Sequence, residues 1–171
     1  MLSIRIKELI PEENVDDKKS LLPVFLEIWN TPENLKYLSS TMLPFEPELV
    51  ETWLQNHKDQ GGRYFCALDK NDEILGIMVI KVNPLDGFEI YGVGVLSEQK
   101  GNGIGRQLIE YAIDTAASLG FKDLHTLVFA DNTAMLCLLL TLGFLPVTME
   151  YHKRSDGADA VHLKKYLKIY N

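Results

Sequence analysis

The sequence predicts a single α/β (α+β) domain: a mixed, mostly antiparallel sheet flanked by about four helices. Three observations predict it. Short segments rich in Val, Ile and aromatics follow one another from Arg63 to Leu96 with turn residues between them, the mark of an antiparallel meander. Two segments of helical period precede that run, and two more follow it in alternation with strands. The strand–helix–strand unit from Phe88 to Ala130 requires one parallel pair with a right-handed crossover. The 171 residues, 46% hydrophobic and 24% charged, suffice for one core, so residues 1–171 are read as one domain.

Each element has its own warrant. Ser3 to Leu9 alternates in polarity and reads as a strand. Lys18 to Asn30 spaces Leu21, Leu22, Phe25, Leu26, Ile28 and Trp29 as a helix does, with Pro23 tolerated in the first turn. Thr31-Pro32 breaks the chain, and the stretch to Pro44 reads as irregular or weakly helical. Glu46 to Lys58 is a second helix with Leu49, Val50, Trp53 and Leu54 on one face. Strands follow at Arg63–Leu68 and Glu73–Val82, joined as a hairpin by the turn at Asp69–Asp72, and a third runs from Phe88 to Leu96. The period then changes to 3.6, with Ile104, Leu108, Ile109, Ala112, Ile113, Ala116 and Leu119 forming one stripe. Gly120 occupies the left-handed C-cap position of that helix. Asp123 to Ala130 is a strand, and Asp131 or Asn132 caps a helix that runs to Leu142 and ends at Gly143. Val147–Lys153 and Ala160–Leu167 close the sheet around the loop Arg154–Asp159. The helix from Thr133 to Leu142 carries no charge, so it is either buried on most sides or turns a face to a second copy in a homodimer.

Composition narrows the function. A net charge of -7 makes the surface repel nucleic acid and anionic membranes and attract a cationic acceptor. Cys66 and Cys137 stand far apart in apolar surroundings and read as buried thiols of a reducing compartment. His57, His125, His152 and His162 are scattered, with no two at ligand spacing on a helix, so no metal is expected and all four are read as surface or structural. Met1 to Leu9 carries Arg5, Lys7 and Glu8, unlike a signal peptide. The longest charge-free stretch, Asn132 to Met149, is short for a membrane span and is interrupted by Gly143 and Pro146. A cytoplasmic location is the expectation.

The strongest chemical signal is Lys100-Gly101-Asn102-Gly103-Ile104-Gly105-Arg106, set between a strand and a long helix. Glycine permits close approach of the backbone to a ligand. The first amides of a helix lack internal partners, and their partial positive charge makes an anion site. Lys100 and Arg106 add cationic charge, so a phosphate or pyrophosphate is the natural ligand. A P-loop is excluded because Arg106-Gln107 stands where Lys-Ser or Lys-Thr is required, and a Rossmann turn fails because Arg106 occupies its third glycine position. A nucleotide-binding module is disfavoured on the same grounds.

The turn resembles the R/Q-x-x-G-x-G/A signature of the GNAT superfamily of acyl-CoA-dependent N-acyltransferases, with Lys100 in the R/Q position and Gly103 and Gly105 matching. Asn132, eleven residues before Gly143-Phe144, is similar to the Asn and Gly-Phe around the helix after that family's fifth strand, and the element order also agrees. The resemblance implies a central parallel pair that splays apart and binds acetyl-CoA. Its pyrophosphate would lie on the amides of Lys100, Gly101, Asn102, Gly103, Ile104, Gly105 and Arg106, and its pantetheine along Val93, Gly94 and Val95. The amide of Val95 would polarise the thioester carbonyl, and Asn132 would contact the cofactor.

The implied reaction is direct attack by the amine of a small molecule or protein on the acetyl carbonyl. Deprotonating a lysine-like amine at pH 7 costs about 4–5 kcal/mol, and an α-amino group about 1 kcal/mol. Glu89, eleven residues before Lys100, resembles the catalytic glutamate of histone-type members, and shares strand parity with Tyr91, Val93 and Val95, so that all four face one cleft. The alternative is a solvent-facing strand residue. The family's tyrosine acid, seven residues after the Asn, is Leu139 here; Tyr91 or water is left to protonate the thiolate. An acyl-CoA-binding protein with little or no turnover is the second reading.

Overall fold

The computed structural model describes residues 4–10, 21–85 and 87–167. Ser3 and the first residues of the expected first helix, Lys18 to Ser20, lie outside the described residues. The elements are β1 (Arg5–Leu9), α1 (Leu21–Trp29), α2 (Pro32–Leu38), α3 (Pro47–Asp59), β2 (Gly62–Leu68), β3 (Ile74–Asn83), β4 (Gly87–Val95), α4 (Ile104–Ser118), β5 (Asp123–Phe129), α5 (Thr133–Thr141), β6 (Leu145–Glu150) and β7 (Ala160–Tyr166). They build one seven-stranded sheet in the order β1-β2-β3-β4-β5-β7-β6. β4 and β5 are parallel, bridged by α4, and every other neighbouring pair is antiparallel.

Both faces of the sheet are covered. β3 is buried throughout its middle, and its residues alternate between two cores. Met78 and Ile80 join Leu108, Ile109 and Ala112 of α4. Ile77 and Val79 meet Phe25, Ile28 and Trp29 of α1 with Leu54 of α3. Such a strand reads as a continuous apolar run because neither face meets water.

α1 lies close to β4 because the strand offers glycine beneath it. A Cβ on Gly92 would stand 2.5 Å from Cη2 of Trp29, and one on Gly94 would stand 2.8 Å from Ile28 Cγ2. Gly92→Val is therefore expected to cost about 2–3 kcal/mol through overpacking, read as a lower urea midpoint at unchanged slope.

Several expectations change. A fifth helix, α2, occupies part of the stretch expected to be irregular or weakly helical, because Pro32 sits at its first position, where a missing N–H costs nothing. Glu33 in the first turn and Lys36 in the last complement its dipole. The sixth strand runs from Leu145 rather than Val147, and ends at Glu150 in a turn where His152 has φ 54. It is an edge strand, so it tolerates Pro146, beside which the register slips. α5 is not buried on most sides: Leu139 is its one fully buried residue, while Leu140 is 49% exposed. One flank of α5 faces a cleft, which accounts for part of its lack of charge. Cys66 is buried as expected, but Cys137 on α5 is exposed. Among the described residues no helix is long and apolar enough to cross a membrane.

Candidate active site

The parallel pairing of β4 with β5 is confined to Glu89↔His125 and Ile90↔Thr126. The hydroxyl of Thr126 donates to the carbonyl of Ile90 at 2.8 Å and closes that end. Beyond it the strands part, and a cleft of about 1120 Å³ opens between β4, β5, α4 and α5. Its lining includes Val93 and Val95 on one bank, Leu127 and Val128 on the other, and Leu138 and Leu139 of α5.

The backbone of β4 addresses this gap. Leu96 N–H donates to Leu75 on β3 at 3.0 Å. Amides alternate in direction along a strand, so the N–H of Val95 points away from β3, toward the gap. The carbonyl of Val95 accepts from Asn34 Nδ2 at 3.0 Å, and that nitrogen also donates to Ile28 O at 2.8 Å. Asn34 is buried and pins the free edge of β4 to α1 and α2. Gly94 turns the other way, against Trp29.

The glycine turn lies at the mouth. A single 3₁₀ turn, Ser97–Gln99, leads into it. Gly101 and Gly103 both have φ 81, and a Cβ on either would meet nothing within 4 Å. Gly103 is the left-handed N-cap of α4 and provides no side chain to satisfy the helix. The first helical bond runs from Gln107 N to Gly103 O, so the amides of Ile104, Gly105 and Arg106 precede any intrahelical acceptor. Lys100, Gly101, Gly103, Ile104, Gly105 and Arg106 line the cleft; Asn102 stands outside its lining, with Nδ2 3.5 Å from Gln99 Oε1. The two cations are held in pairs: Lys100 with Glu33 at 2.6 Å, and Arg106 with Glu110 at 3.2 Å and Thr141 at 3.3 Å. Lys100 holds the Glu33 carboxyl below its ordinary range. Asn132 caps α5, accepting from Met135 N at 3.2 Å through its side-chain oxygen, and lines the cleft.

The shared parity expected of Glu89, Tyr91, Val93 and Val95 is broken. Val79 pairs with Gly92 and Ile80 with Ile90, so Tyr91 is an extra residue, a β-bulge. Val93 and Val95 consequently join the α4 core, whereas Tyr91 lies on the opposite face, 5.6 Å from the Trp53 ring and 5.2 Å from the His57 ring. Glu89 is on that opposite face too, 4.0 Å from Nε2 of His125. All of them still border the one cleft, which passes through the sheet. Burial, then the charge of Glu89, pushes the Tyr91 phenol up.

The histidines divide. His57 is buried, and burial followed by the charge of Lys81 pushes it down to about 4. Tyr64 donates to Leu54 O at 2.9 Å, so it accepts from His57 Nδ1 at 3.3 Å, which places a hydrogen on Nδ1 and makes His57 a structural residue. His125 lies beside Glu89, and His162, read as surface or structural, lines the cleft. His162 Nε2 lies 2.6 Å from Glu150.

A latch crosses the same side. Arg154 is 3% exposed and forms paired bonds to Asp131, at 3.1 and 2.8 Å, and to Asp156, at 2.8 and 2.9 Å. It also donates to Lys36 O at 3.1 Å, and Ser155 N donates to Ser40 O at 2.8 Å. The β6–β7 loop is thereby fastened to the end of α2. Arg154 pulls the Asp131 carboxyl down to about 2. Arg154→Ala is expected to cost about 1.5–3 kcal/mol, the range for hydrogen bonds to charged groups. A depressed carboxylate stabilises fully above its ordinary value near 4 and loses that contribution as pH falls toward 2. The variant should therefore lose less stability than the parent between pH 4 and 2, measured by thermal unfolding.

The arrangement also sets the chain beside known proteins. The family model described as acetyltransferase (GNAT) family matches residues 25–144. Mycothiol acetyltransferase of Jonesia denitrificans is 38% identical over 86 residues, covering 50% of this chain and 27% of that protein. The chain thus spans about a quarter of the length of that relative. The [ribosomal protein bS18]-alanine N-acetyltransferase of Escherichia coli (strain K12) is 30% identical over 104 residues, 59% of this chain and 70% of that protein. Among solved structures, the ribosomal-protein-S18-alanine N-acetyltransferase from Escherichia coli superposes with TM-score 0.72 at 19% identity, covering 99% of this chain and 97% of that one. A phosphinothricin acetyltransferase from Sinorhizobium meliloti, in complex with AcCoA, gives TM-score 0.72 at 17% identity over 97% of this chain and 89% of that one. At these identities the structural likeness is one of fold.

Proposed function

The chain belongs to the GNAT acetyltransferase family, and from that premise we propose that it transfers the acetyl group of acetyl-CoA to a primary amine by direct attack. One observation carries the reading: an uncapped helix start, with glycines opening onto clear space, stands at the mouth of the gap between the splayed strands β4 and β5. The gap is lined by apolar side chains and by the free backbone edge of β4, which suits a thioester arm, and its mouth has the amides for a diphosphate.

Acetyl-CoA supplies an activated acyl carbon whose leaving thiol has a pKa near 8.5. The turn from Lys100 to Arg106 binds the diphosphate through its amides. Val93 and Val95 offer backbone groups to the pantetheine, and Gly94 lets Trp29 support that strand from behind. The Val95 amide stabilises charge on the carbonyl oxygen. Asn132, its oxygen committed to the helix cap, presents its NH2 group to the cofactor. Glu89 takes a proton from the amine, and Tyr91, on the same face, orients the acceptor or returns a proton to the sulfur. The acceptor is a small-molecule or protein amine; one relative is named for mycothiol and another for an alanine of ribosomal protein bS18.

A second reading, an acyl-CoA-binding protein with little turnover, is favoured by Leu139, an apolar and buried residue where the family's tyrosine acid would stand. A thiol-release assay against an amine panel separates the two. Amine-dependent release of CoA is the expected result; tight acetyl-CoA binding without release for any amine supports the second reading.

A further inference from the structure

A primary ammonium that becomes an amide sheds two protons: R–NH3⁺ and acetyl-S-CoA give R–NH–acetyl, CoA–SH and H⁺. One proton returns to sulfur and one leaves for solvent. Glu89 accounts for the first removal, before the attack. The second leaves the nitrogen once it has bonded to the acetyl carbon, and a basic group on the acceptor side can take it.

A carboxylate–imidazole pair stands there. His162 on β7 is paired in register with Leu127, the β5 residue just past the last parallel pair with β4. Leu127, His162, Glu150 and Lys153 all line the cleft. His162 Nε2 lies 2.6 Å from Glu150 Oε1, and Lys153 Nζ lies 2.6 Å from the other oxygen. Lys153 and His162 hold the Glu150 carboxyl below its ordinary range. An ionised carboxylate only accepts, so Nε2 carries the hydrogen, and in the neutral ring the lone pair is on Nδ1. This is how a carboxylate orients an imidazole for proton transfer. The other charged and titratable groups on this face include Glu89 and Tyr91 of β4, Asp123 and His125 of β5, and Lys164 and Tyr166 of β7, with Lys164 held by Asp123 at 3.4 Å.

We propose that His162, oriented by Glu150, is a second catalytic base of the acetyl transfer. Its Nδ1 takes the proton that the acceptor nitrogen sheds on bonding to the acetyl carbon. The N–H bond breaks, its electron pair stays on the amide nitrogen, and the imidazolium shares its charge with Glu150. The ring, 32% exposed, then passes the proton to water.

This inference rests on the acetyltransferase reading, and the test separates their failures. The full chain is assayed for CoA release with spermidine, glucosamine and an alanine-initiated peptide, using whichever the parent turns over. H162A is expected to lower kcat about 100-fold at pH 7. Acetyl-CoA affinity by calorimetry should stay within about twofold, since the ring is placed on the acceptor side. Added imidazole should restore part of the rate, and the acidic limb of the pH–kcat profile should lose one ionisation. E150Q should lower kcat about tenfold by releasing the ring. H162N, closer in shape, gives the same reading if H162A folds poorly. A parent-like kcat in the histidine variants overturns the proposal. So does a loss that imidazole does not restore and that leaves the pH profile unchanged. A parent that binds acetyl-CoA but acetylates no amine overturns the acetyltransferase reading, and this inference with it.

Discussion

Gly103→Glu is expected to abolish acetyl-CoA binding while leaving the fold intact. Gly103 is the N-cap of α4 at φ 81, and a side chain there enters open space rather than packed atoms. The structural cost is thus limited to left-handed strain, about 1–2 kcal/mol. The functional cost is larger. A glutamate carboxylate here reaches the amides of the first helical turn and satisfies them itself. It also opposes the diphosphate: at 4 Å and an effective dielectric near 20, each like charge costs about 4 kcal/mol. Together these losses amount to at least about a 1000-fold weaker Kd. Gly103→Ala introduces the strain without the charge and should weaken binding by about tenfold at most. Calorimetry on both variants checks the pair. Binding by Gly103→Glu within tenfold of the parent would remove the diphosphate from this corner.

Glu89→Gln is expected to lower kcat about 100-fold or more at pH 7 and distinctly less at pH 9. The carboxylate sits at the closed end of the gap, where β4 and β5 are last paired, with Lys81 opposite it on β3 and His125 opposite on β5. An amide of the same shape keeps the packing and removes the base. Each pH unit gained lowers the cost of supplying a neutral amine by about 1.4 kcal/mol, so alkali substitutes for the missing group. Rates of thiol release across pH 6–9 test this. Parallel profiles for parent and variant would leave Glu89 a solvent-facing strand residue.

Much of the architecture was legible because it depends on local chemistry. The glycines at 101 and 103, the cap glycines at 120 and 143, and the apolar run of β3 each carry their reason within a few residues. The bulge at Tyr91 left no such mark: an extra residue in a strand changes which way side chains point without changing what they are. Parity arguments on Glu89, Val93 and Val95 failed for that reason. Asn34 was missed because its helix reads only as irregular or weakly helical in the sequence: Pro32 looks like a breaker when it is a starter. The latch at Arg154 joins segments distant in sequence, and the place of His162 beside Leu127 depends on β7 inserting between β5 and β6, an order that no local pattern encodes.

The central claim is that main-chain N–H groups at the start of α4 hold the diphosphate at the mouth of the splayed strands. Amide ¹H–¹⁵N spectra recorded while acetyl-CoA is added observe those groups directly. The expected result is that the largest shifts fall on Gly101 to Arg106, with a second set on Val93 and Val95. Saturable binding that leaves those amides in place and moves others, such as those along α3 or β1, would contradict it.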